Sequence, residues 1–94
     1  MIKSFKCKET LTIWNGVSSR KFPHDIQDRV LKKLRMLDAA GVLDDLKNPP
    51  SNRPEKLKGD REGQMSIRVN NQWRICFKWE NCNAYEVELI DYHR

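Results

Sequence analysis

The side chains best suited to chemistry lie near the end of the sequence. Residues 91–94 read Asp-Tyr-His-Arg, four groups that hold charge or carry protons, and they follow an apolar stretch that ends at Ile90. If the predicted sheet also presents Lys58, Arg68 and Arg74, cations would lie near a histidine and a tyrosine. That combination suits cleavage of RNA without a metal: a base takes the 2′-OH proton, an acid protonates the leaving 5′-oxygen, and guanidinium groups stabilise charge on phosphorus. A solvated polar tail beside a solvated basic face is the alternative interpretation.

Other catalytic patterns do not occur in the sequence. It has no glycine-rich nucleotide loop and no HExxH, GxSxG or EF-hand spacing, so we expect neither a cofactor nor a metal. Cys76 has no histidine near it in the sequence to activate it, and we interpret it as a small strand residue. His24 is interpreted as a surface residue.

The basic charge is concentrated in the middle of the chain. The formal net charge is +5, and residues 47–78 alone carry eight basic and three acidic side chains. A local excess of this kind is typical of a surface that binds a polyanion. A surface that only improves solubility is the alternative.

Length and cysteine content exclude several classes of protein. A chain of 94 residues is expected to form a single domain over residues 1–94. Three cysteines without a CxxC pair and two distant histidines provide neither a disulfide framework nor a zinc site. No signal segment and no membrane-spanning run occurs, so we expect a reduced, cytoplasmic protein with no membrane partner.

Two helices are predicted in the first half of the chain. Residues 8–15 would form a short helix closed by Gly16, and residues 23–40 a long one that ends at Gly41 in left-handed geometry. The long helix has an apolar stripe facing the core and basic residues on the rest of its surface, with Ile26, Val30, Leu34 and Leu37 in the stripe and Arg29, Lys32, Lys33 and Arg35 outside it.

Strands are predicted on both sides of these helices. Residues 2–5 alternate apolar and polar, residues 48–54 form a stiff proline-rich linker, and residues 65–90 predict hairpins with turns at residues 70–71 and 81–83. The odd-numbered strand residues, Tyr85 included, would be buried against the helices. The opposite face would be open to water or a ligand and would carry Arg68, Arg74, Cys76, Lys78, Glu86 and Glu88. The order β-α-α-β-β-β(-β) predicts an α+β fold with two helices on one face of a twisted antiparallel sheet.

The motifs in combination resemble those of the HigB toxins of the RelE/ParE superfamily. The segment LKGDREG over residues 57–63 is followed by NQWR over residues 71–74 and by the terminal DYH. The resemblance covers essentially the whole chain and implies a RelE-like fold. It also implies a toxin that enters the A site of the small ribosomal subunit and cuts mRNA through a 2′,3′-cyclic phosphate. Its partner would be a HigA-type helix-turn-helix antitoxin. It would contact operator DNA only through this antitoxin.

The resemblance also implies roles for individual residues. Arg74 would hold the scissile phosphate, and Lys58 would be a second basic residue of the site. Asp91 and His93 would handle protons, while Tyr92 would orient or stack on a base. Further RNA contacts are expected from three basic side chains, namely Lys56, Arg61 and Arg68.

One position departs from the family pattern. Well-studied members carry a histidine three residues before the lysine of LKGD, and this chain has Glu55 there. Glu55 would act as a base if burial raised its pKa, or His93 would work alone with weaker activity. Two alternatives to the nuclease therefore stay open: a ParE-like poison of DNA gyrase, and a weakly active relic that only binds antitoxin. Trp14, Leu46 and Trp79 would be antitoxin contacts if exposed and core residues otherwise.

Overall fold

Two helices pack on a four-stranded antiparallel sheet in this computed structural model, which describes residues 1–92. The helices are α1 (Lys8–Trp14) and α2 (His24–Ala39). The strands are β1 (Glu55–Lys56), β2 (Met65–Arg68), β3 (Trp73–Glu80) and β4 (Asn83–Asp91), in the spatial order β1-β2-β3-β4. The α+β class and the two-helix layer predicted from the sequence are confirmed.

The long helix is held by its apolar stripe as predicted. Ile26, Val30, Leu34 and Leu37 are all buried, and Pro23 caps its first turn. Two predictions for this helix were wrong. Lys33 is buried rather than on the surface, and the helix ends without a left-handed Gly41, whose N–H donates to Asp45 Oδ2 at 2.8 Å.

The chain between α2 and β1 is more structured than a stiff linker. It contains two short 3₁₀ turns, Leu43–Lys47 and Pro50–Asn52, and a third, Gly59–Arg61, follows β1. The buried side chain of Asn52 links the two turns to each other and to α2. Its Nδ2 donates to the Leu46 carbonyl at 3.2 Å, and its Oδ1 accepts from Lys33 Nζ at 2.5 Å.

The predicted opening strand is replaced by two isolated parallel bridges. Ile2 bridges Ala84 and Phe5 bridges Val87, so residues 1–6 lie along the outer edge of β4. Neighbouring hydrogen bonds complete this pairing, including Lys3 N–H to the Ala84 carbonyl at 2.8 Å and Lys6 N–H to the Val87 carbonyl at 3.0 Å.

A bulge in β4 changes which residues face the helices. Cys76 pairs with Glu88, yet Lys78 pairs with Tyr85, so one extra residue is accommodated near Glu86, whose φ is +51°. The predicted burial of Tyr85 was therefore wrong: Ala84 is fully buried instead, and Tyr85 is half-buried.

The second face of the sheet is not open along its whole length. Ser66, Arg74 and Cys76 are buried on it, against the prediction of a solvent-facing surface. Of the three candidate antitoxin contacts, Leu46 is a core residue, whereas Trp14 and Trp79 are half-buried at the edge of the core. Within residues 1–92, no helix is long and apolar enough to cross a membrane.

Candidate active site

The guanidinium of Arg74 is fixed by neutral acceptors. Its side chain leaves β3 and reaches toward Ser66 of β2, where Nε donates to Ser66 Oγ at 2.8 Å. Its Nη2 donates to the carbonyl oxygens of Arg53, at 2.5 Å, and of Ser66, at 3.3 Å. Among the described residues, Nη1 has no hydrogen-bond acceptor, and Glu55 Oε1 lies 4.0 Å from it. A cation held this way keeps one nitrogen for a ligand.

Burial shapes the electrostatics of Arg74. Only 6% of the residue is exposed, and this burial lowers the pKa of its guanidinium, while the nearby charge of Glu55 opposes the shift. The Tyr92 ring lies 5.7 Å from Arg74 Cζ and covers the other side of the group.

A cavity of about 530 Å³ opens at Arg74. Arg68 pairs with Arg74 across β2 and β3, and both side chains line it. The other lining residues are mainly polar, namely Arg53, Glu55, Asn70, Asn71, Gln72 and Tyr92. We call this space the Arg74 cavity. Three guanidinium groups around one open space make it suited to an anion.

Two backbone features position the rim of the Arg74 cavity. Arg53 has a left-handed backbone, φ 39° and ψ 65°, at the end of the Pro50–Asn52 turn, which directs its carbonyl to Arg74. At the β2–β3 turn, Arg68 Nη2 donates to Asn71 Oδ1, and Asn70 Oδ1 accepts from the backbone N–H of Gln72 and Trp73 at 2.8 Å each. The turn is thus held in one conformation by its asparagines.

The predicted terminal residues approach the Arg74 cavity from β4. The Tyr92 N–H donates to the Gln72 carbonyl at 2.5 Å, and Asp91 Oδ2 accepts from Gln72 Nε2 at 3.0 Å. The backbone of β4 therefore places Tyr92 in the cavity and Asp91 beside it. The predicted His93 lies outside the described residues.

Glu55 faces Arg74 but is exposed. It lies on β1 opposite Ser66, and 45% of its side chain is accessible. The expected role of Glu55 as a base required burial of its carboxyl group, and Glu55 is not buried.

Lys56 and Lys58 lie at a different cavity, of about 460 Å³. This second cavity has an apolar wall that includes Leu57, Met65 and Trp79. Successive residues of a strand point to opposite faces, so Glu55 and Lys56 are separated by the sheet. The structure therefore divides the predicted basic residues between two surfaces.

Arg61 is bound to a carboxylate. Its Nη1 donates to Glu88 Oε2 at 3.0 Å and to Gln64 Oε1 at 3.2 Å, and Lys6 Nζ lies 3.7 Å from the same Glu88 oxygen. The hydrogen bond to Glu88 raises the pKa of Arg61. Arg61 does not line the Arg74 cavity.

Cys76 is the small buried strand residue that the sequence suggested. It is fully buried, and desolvation raises the pKa of its thiol to about 11. No three of the His, Cys, Asp and Glu side chains within residues 1–92 are grouped so as to hold a metal ion.

Sequence reasoning missed several residues of this site. Arg53, Ser66 and Gln72 entered no prediction, although they hold Arg74 or line its cavity. The only available signal was the position of Ser66 on the same predicted face as Arg74.

Comparison with known proteins identifies the family. Residues 3–93 match the family described as "RelE-like toxin of type II toxin-antitoxin system HigB". The chain belongs to this family. It is 40% identical over 94 residues to Endoribonuclease HigB of Proteus vulgaris, covering 99% of this chain and 100% of that protein. It is also 47% identical over 60 residues to Toxin HigB-1 of Vibrio cholerae, a match that spans 64% of this chain and 63% of that toxin.

Solved structures share the HigB-family fold of this chain. The YoeB-YefM complex from Staphylococcus aureus contains a chain with a TM-score of 0.61 and 15% identity, covering 100% of this chain and 99% of that one. YafQ from E. coli aligns with a TM-score of 0.58 and 13% identity, covering 98% of this chain and 94% of that one. As a HigB-type toxin, this chain has an antitoxin as its partner.

Proposed function

We propose that this toxin is an endoribonuclease that cuts mRNA in the ribosomal A site without a metal. The observation that carries the proposal is the fixed guanidinium of Arg74 at a cavity that Arg53 and Arg68 also line. The name of the Proteus vulgaris relative, Endoribonuclease HigB, supports the same activity.

The proposed reaction is an in-line attack within the RNA backbone. The 2′-oxygen attacks phosphorus as a base removes its proton, the bond to the 5′-oxygen breaks, and an acid protonates that oxygen. The products are a 2′,3′-cyclic phosphate and a 5′-hydroxyl. Arg74 stabilises the charge that develops on the phosphoryl oxygens, and an already fixed donor does so without reorganisation.

The proposal also assigns roles to the remaining predicted residues. His93 serves as the acid or base, because its unperturbed pKa is near neutrality, and Asp91 assists it. Tyr92 stacks on a base at the cavity. Lys56 and Lys58 bind RNA beyond the cavity, on the surface of the second cavity, and Arg68 binds phosphate within the Arg74 cavity. The toxin acts in the cytoplasm, where a HigA-type helix-turn-helix antitoxin neutralises it and provides its only link to operator DNA.

A second candidate is a weakly active toxin that mainly binds antitoxin. The exposure of Glu55 favours it, because an exposed carboxylate beside Arg74 places negative charge where a phosphate would bind. A poison of DNA gyrase has no comparable support in the Arg74 cavity.

The deciding experiment is primer extension on a defined mRNA with purified ribosomes. Wild type, His93→Ala, Glu55→Gln and Glu55→His are compared, with a known family nuclease as the positive control. We expect cleavage within A-site codons, loss of cleavage in His93→Ala, and faster cleavage in Glu55→His, which restores the family histidine. Absence of wild-type cleavage, with the positive control active, contradicts the nuclease; gyrase-dependent DNA cleavage would then identify the alternative target.

A further inference from the structure

A groove of about 320 Å³ lies beside the Arg74 cavity, between α2 and the end of β2. Arg29, Lys32 and Lys33 line it from α2, and Arg68 lines it from the sheet. Ser51, from the Pro50–Asn52 turn, adds a hydroxyl. We call this space the α2 groove. It places four cationic side chains around one small volume.

Among the residues that the structure describes, no carboxylate forms a salt bridge with these four cations. Within residues 1–92, no acidic side chain lines the α2 groove. In the described part of the chain, the side chain of Arg68 donates only to Asn71, and that of Lys33 donates only to Asn52. The groove therefore keeps its positive potential for a ligand.

The most buried of these cations is Lys33, with 7% of the residue exposed. Its surroundings disfavour the protonated ammonium. Burial lowers the pKa of Lys33, and the positive charges of Arg29 and Arg68 lower it further. Its single acceptor is an amide oxygen. An anion in the α2 groove would relieve this repulsion.

Arg68 connects the α2 groove to the Arg74 cavity. It lines both spaces, and it is the cross-strand partner of Arg74. Directly opposed residues of an antiparallel pair have α-carbons only about 5 Å apart. A ligand with phosphates repeated along a chain therefore fits both spaces at once, whereas a single small anion fits only one.

We propose that the α2 groove binds a backbone phosphate of RNA next to the phosphate held at Arg74. This inference rests on the proposed function for the identity of the polyanion. The phosphate belongs either to mRNA or to ribosomal RNA, which present the same chemistry. Arg29 and Lys32, exposed on α2, make the first contact, and Lys33 forms the floor.

The test uses variants that remove charge only from exposed positions. Arg29→Gln/Lys32→Gln changes the α2 groove, and Arg35→Gln/Lys8→Gln is a control with the same change in net charge at exposed residues outside it. Binding is measured at several salt concentrations, first to a single-stranded RNA oligonucleotide with 2′-O-methyl groups, which cannot be cleaved, and then to ribosomes without mRNA. Cleavage of a defined mRNA is measured separately.

We expect the groove double variant to bind about tenfold more weakly, with a log–log salt slope about 0.7 smaller in magnitude, as for one lost phosphate contact on single-stranded RNA. The control should differ from wild type by less than about twofold. Weakening confined to the oligonucleotide assigns the phosphate to mRNA, and weakening confined to the ribosome assigns it to ribosomal RNA.

Three results would overturn the α2 groove as an RNA site. The groove variant could match the control in both assays, wild type could bind neither RNA probe, or the groove variant could lose binding only to a polyglutamate peptide. Failure of the proposed function is distinct from these, because wild type would then cut no mRNA while the groove variant still lost RNA binding.

Discussion

The charges of Arg74 and Arg61 both act on Cys76, but their guanidinium groups are held differently. Arg74 is bound by a hydroxyl and two carbonyl groups, with a carboxylate only at 4.0 Å. Arg61 is bound directly by the carboxylate of Glu88 at 3.0 Å. Burial lowers the pKa of Arg74, and the hydrogen bond to Glu88 raises that of Arg61.

The difference shows how a protein assigns a cation to a ligand or to its own fold. Neutral acceptors fix the position of a guanidinium without cancelling its charge, so an incoming phosphate meets a cation that is opposed only by the exposed carboxylate of Glu55, 4.0 Å away, among the described residues. A carboxylate partner fixes the position and cancels the charge, so a phosphate would first have to displace it. By this criterion we expect Arg74 to be available to RNA and Arg61 to serve the fold.

The largest expected effect comes from Arg74→Lys. Lysine keeps the charge but cannot donate to Ser66 and Arg53 while also presenting a third nitrogen. We expect mRNA cleavage to fall about 10²–10³-fold, the usual loss of one preorganised donor to a transition state. Binding to ribosomes, measured by co-sedimentation, should change less than about threefold. Equal losses of binding and cleavage would contradict a role in the transition state.

The next effect concerns the buried thiol of Cys76, and it is a dependence of stability on pH. Burial raises the pKa of its thiol in the folded state to about 11, whereas the thiol of the unfolded chain titrates near its ordinary value of 9.0. Above pH 9 the unfolded state loses its proton first, so stability is full below pH 9 and declines toward pH 11. The decline should be roughly 2–3 kcal/mol for two pKa units.

Urea unfolding of wild type and Cys76→Ala at pH 8 and pH 10.5 measures this effect. Lysines titrate in both proteins, so the variant measures their contribution. The wild type should lose more stability than the variant between the two pH values, because only the wild type has the buried thiol. Identical losses would show that Cys76 is not desolvated in the folded state.

A smaller effect is expected at Asn52, whose side chain accepts from Lys33. Lys33 resembles Arg74 in being a buried cation held by a neutral acceptor. Asn52→Ala removes the acceptor of Lys33 Nζ and should lower the free energy of unfolding by about 2 kcal/mol. Asn15→Ala, at an exposed position with no side-chain hydrogen bond in the described structure, is the control and should change it by less than about 0.5 kcal/mol. Equal changes in the free energy of unfolding for Asn52→Ala and Asn15→Ala would show that Lys33 does not depend on its neutral acceptor as Arg74 is expected to.

The smallest effects are expected at the Arg61 pair. Arg61→Gln should change mRNA cleavage less than about threefold and lower stability by at most about 1 kcal/mol, because the pair is partly exposed. Glu88→Gln should strengthen RNA binding modestly at low salt, since it frees a cation for phosphate. Loss of cleavage in Arg61→Gln would contradict the criterion, because it would show that an arginine paired with a carboxylate is still needed for RNA cleavage.

Local sequence patterns predicted the elements but not the partners of the charged residues. The stripe of α2 and the alternation in β2 and β3 are local signals, and the helix and the two strands that they predict are confirmed. Glu88 reaches Arg61, 27 positions away, through the register that follows the bulge near Glu86. No local pattern marks that bulge, so the sequence predicted Arg61 as an RNA contact and did not predict its pairing with Glu88.

The covering of Arg74 also depends on distant residues. The carbonyl of Arg53 meets Arg74 because Asn52 fixes the preceding turn against Lys33 and Leu46. The prolines of residues 48–54 correctly excluded a long helix or a central strand, but they do not indicate where the turn packs. A burial pattern created by such packing is visible only in three dimensions.

The pairing of residues 1–6 with β4 has a consequence for when the toxin forms. Ser4 Oγ accepts from the N–H of Glu86, 82 positions later, and Thr10 Oγ1 accepts from the N–H of Leu89. During synthesis, residues 1–6 therefore cannot complete their pairing until residues 83–91 have been made. β4 also leads into Tyr92 beside Arg74, so one strand both pairs with residues 1–6 and completes the wall of the Arg74 cavity. A chain synthesised only as far as β3 therefore lacks both the edge partner of residues 1–6 and the aromatic wall of the cavity.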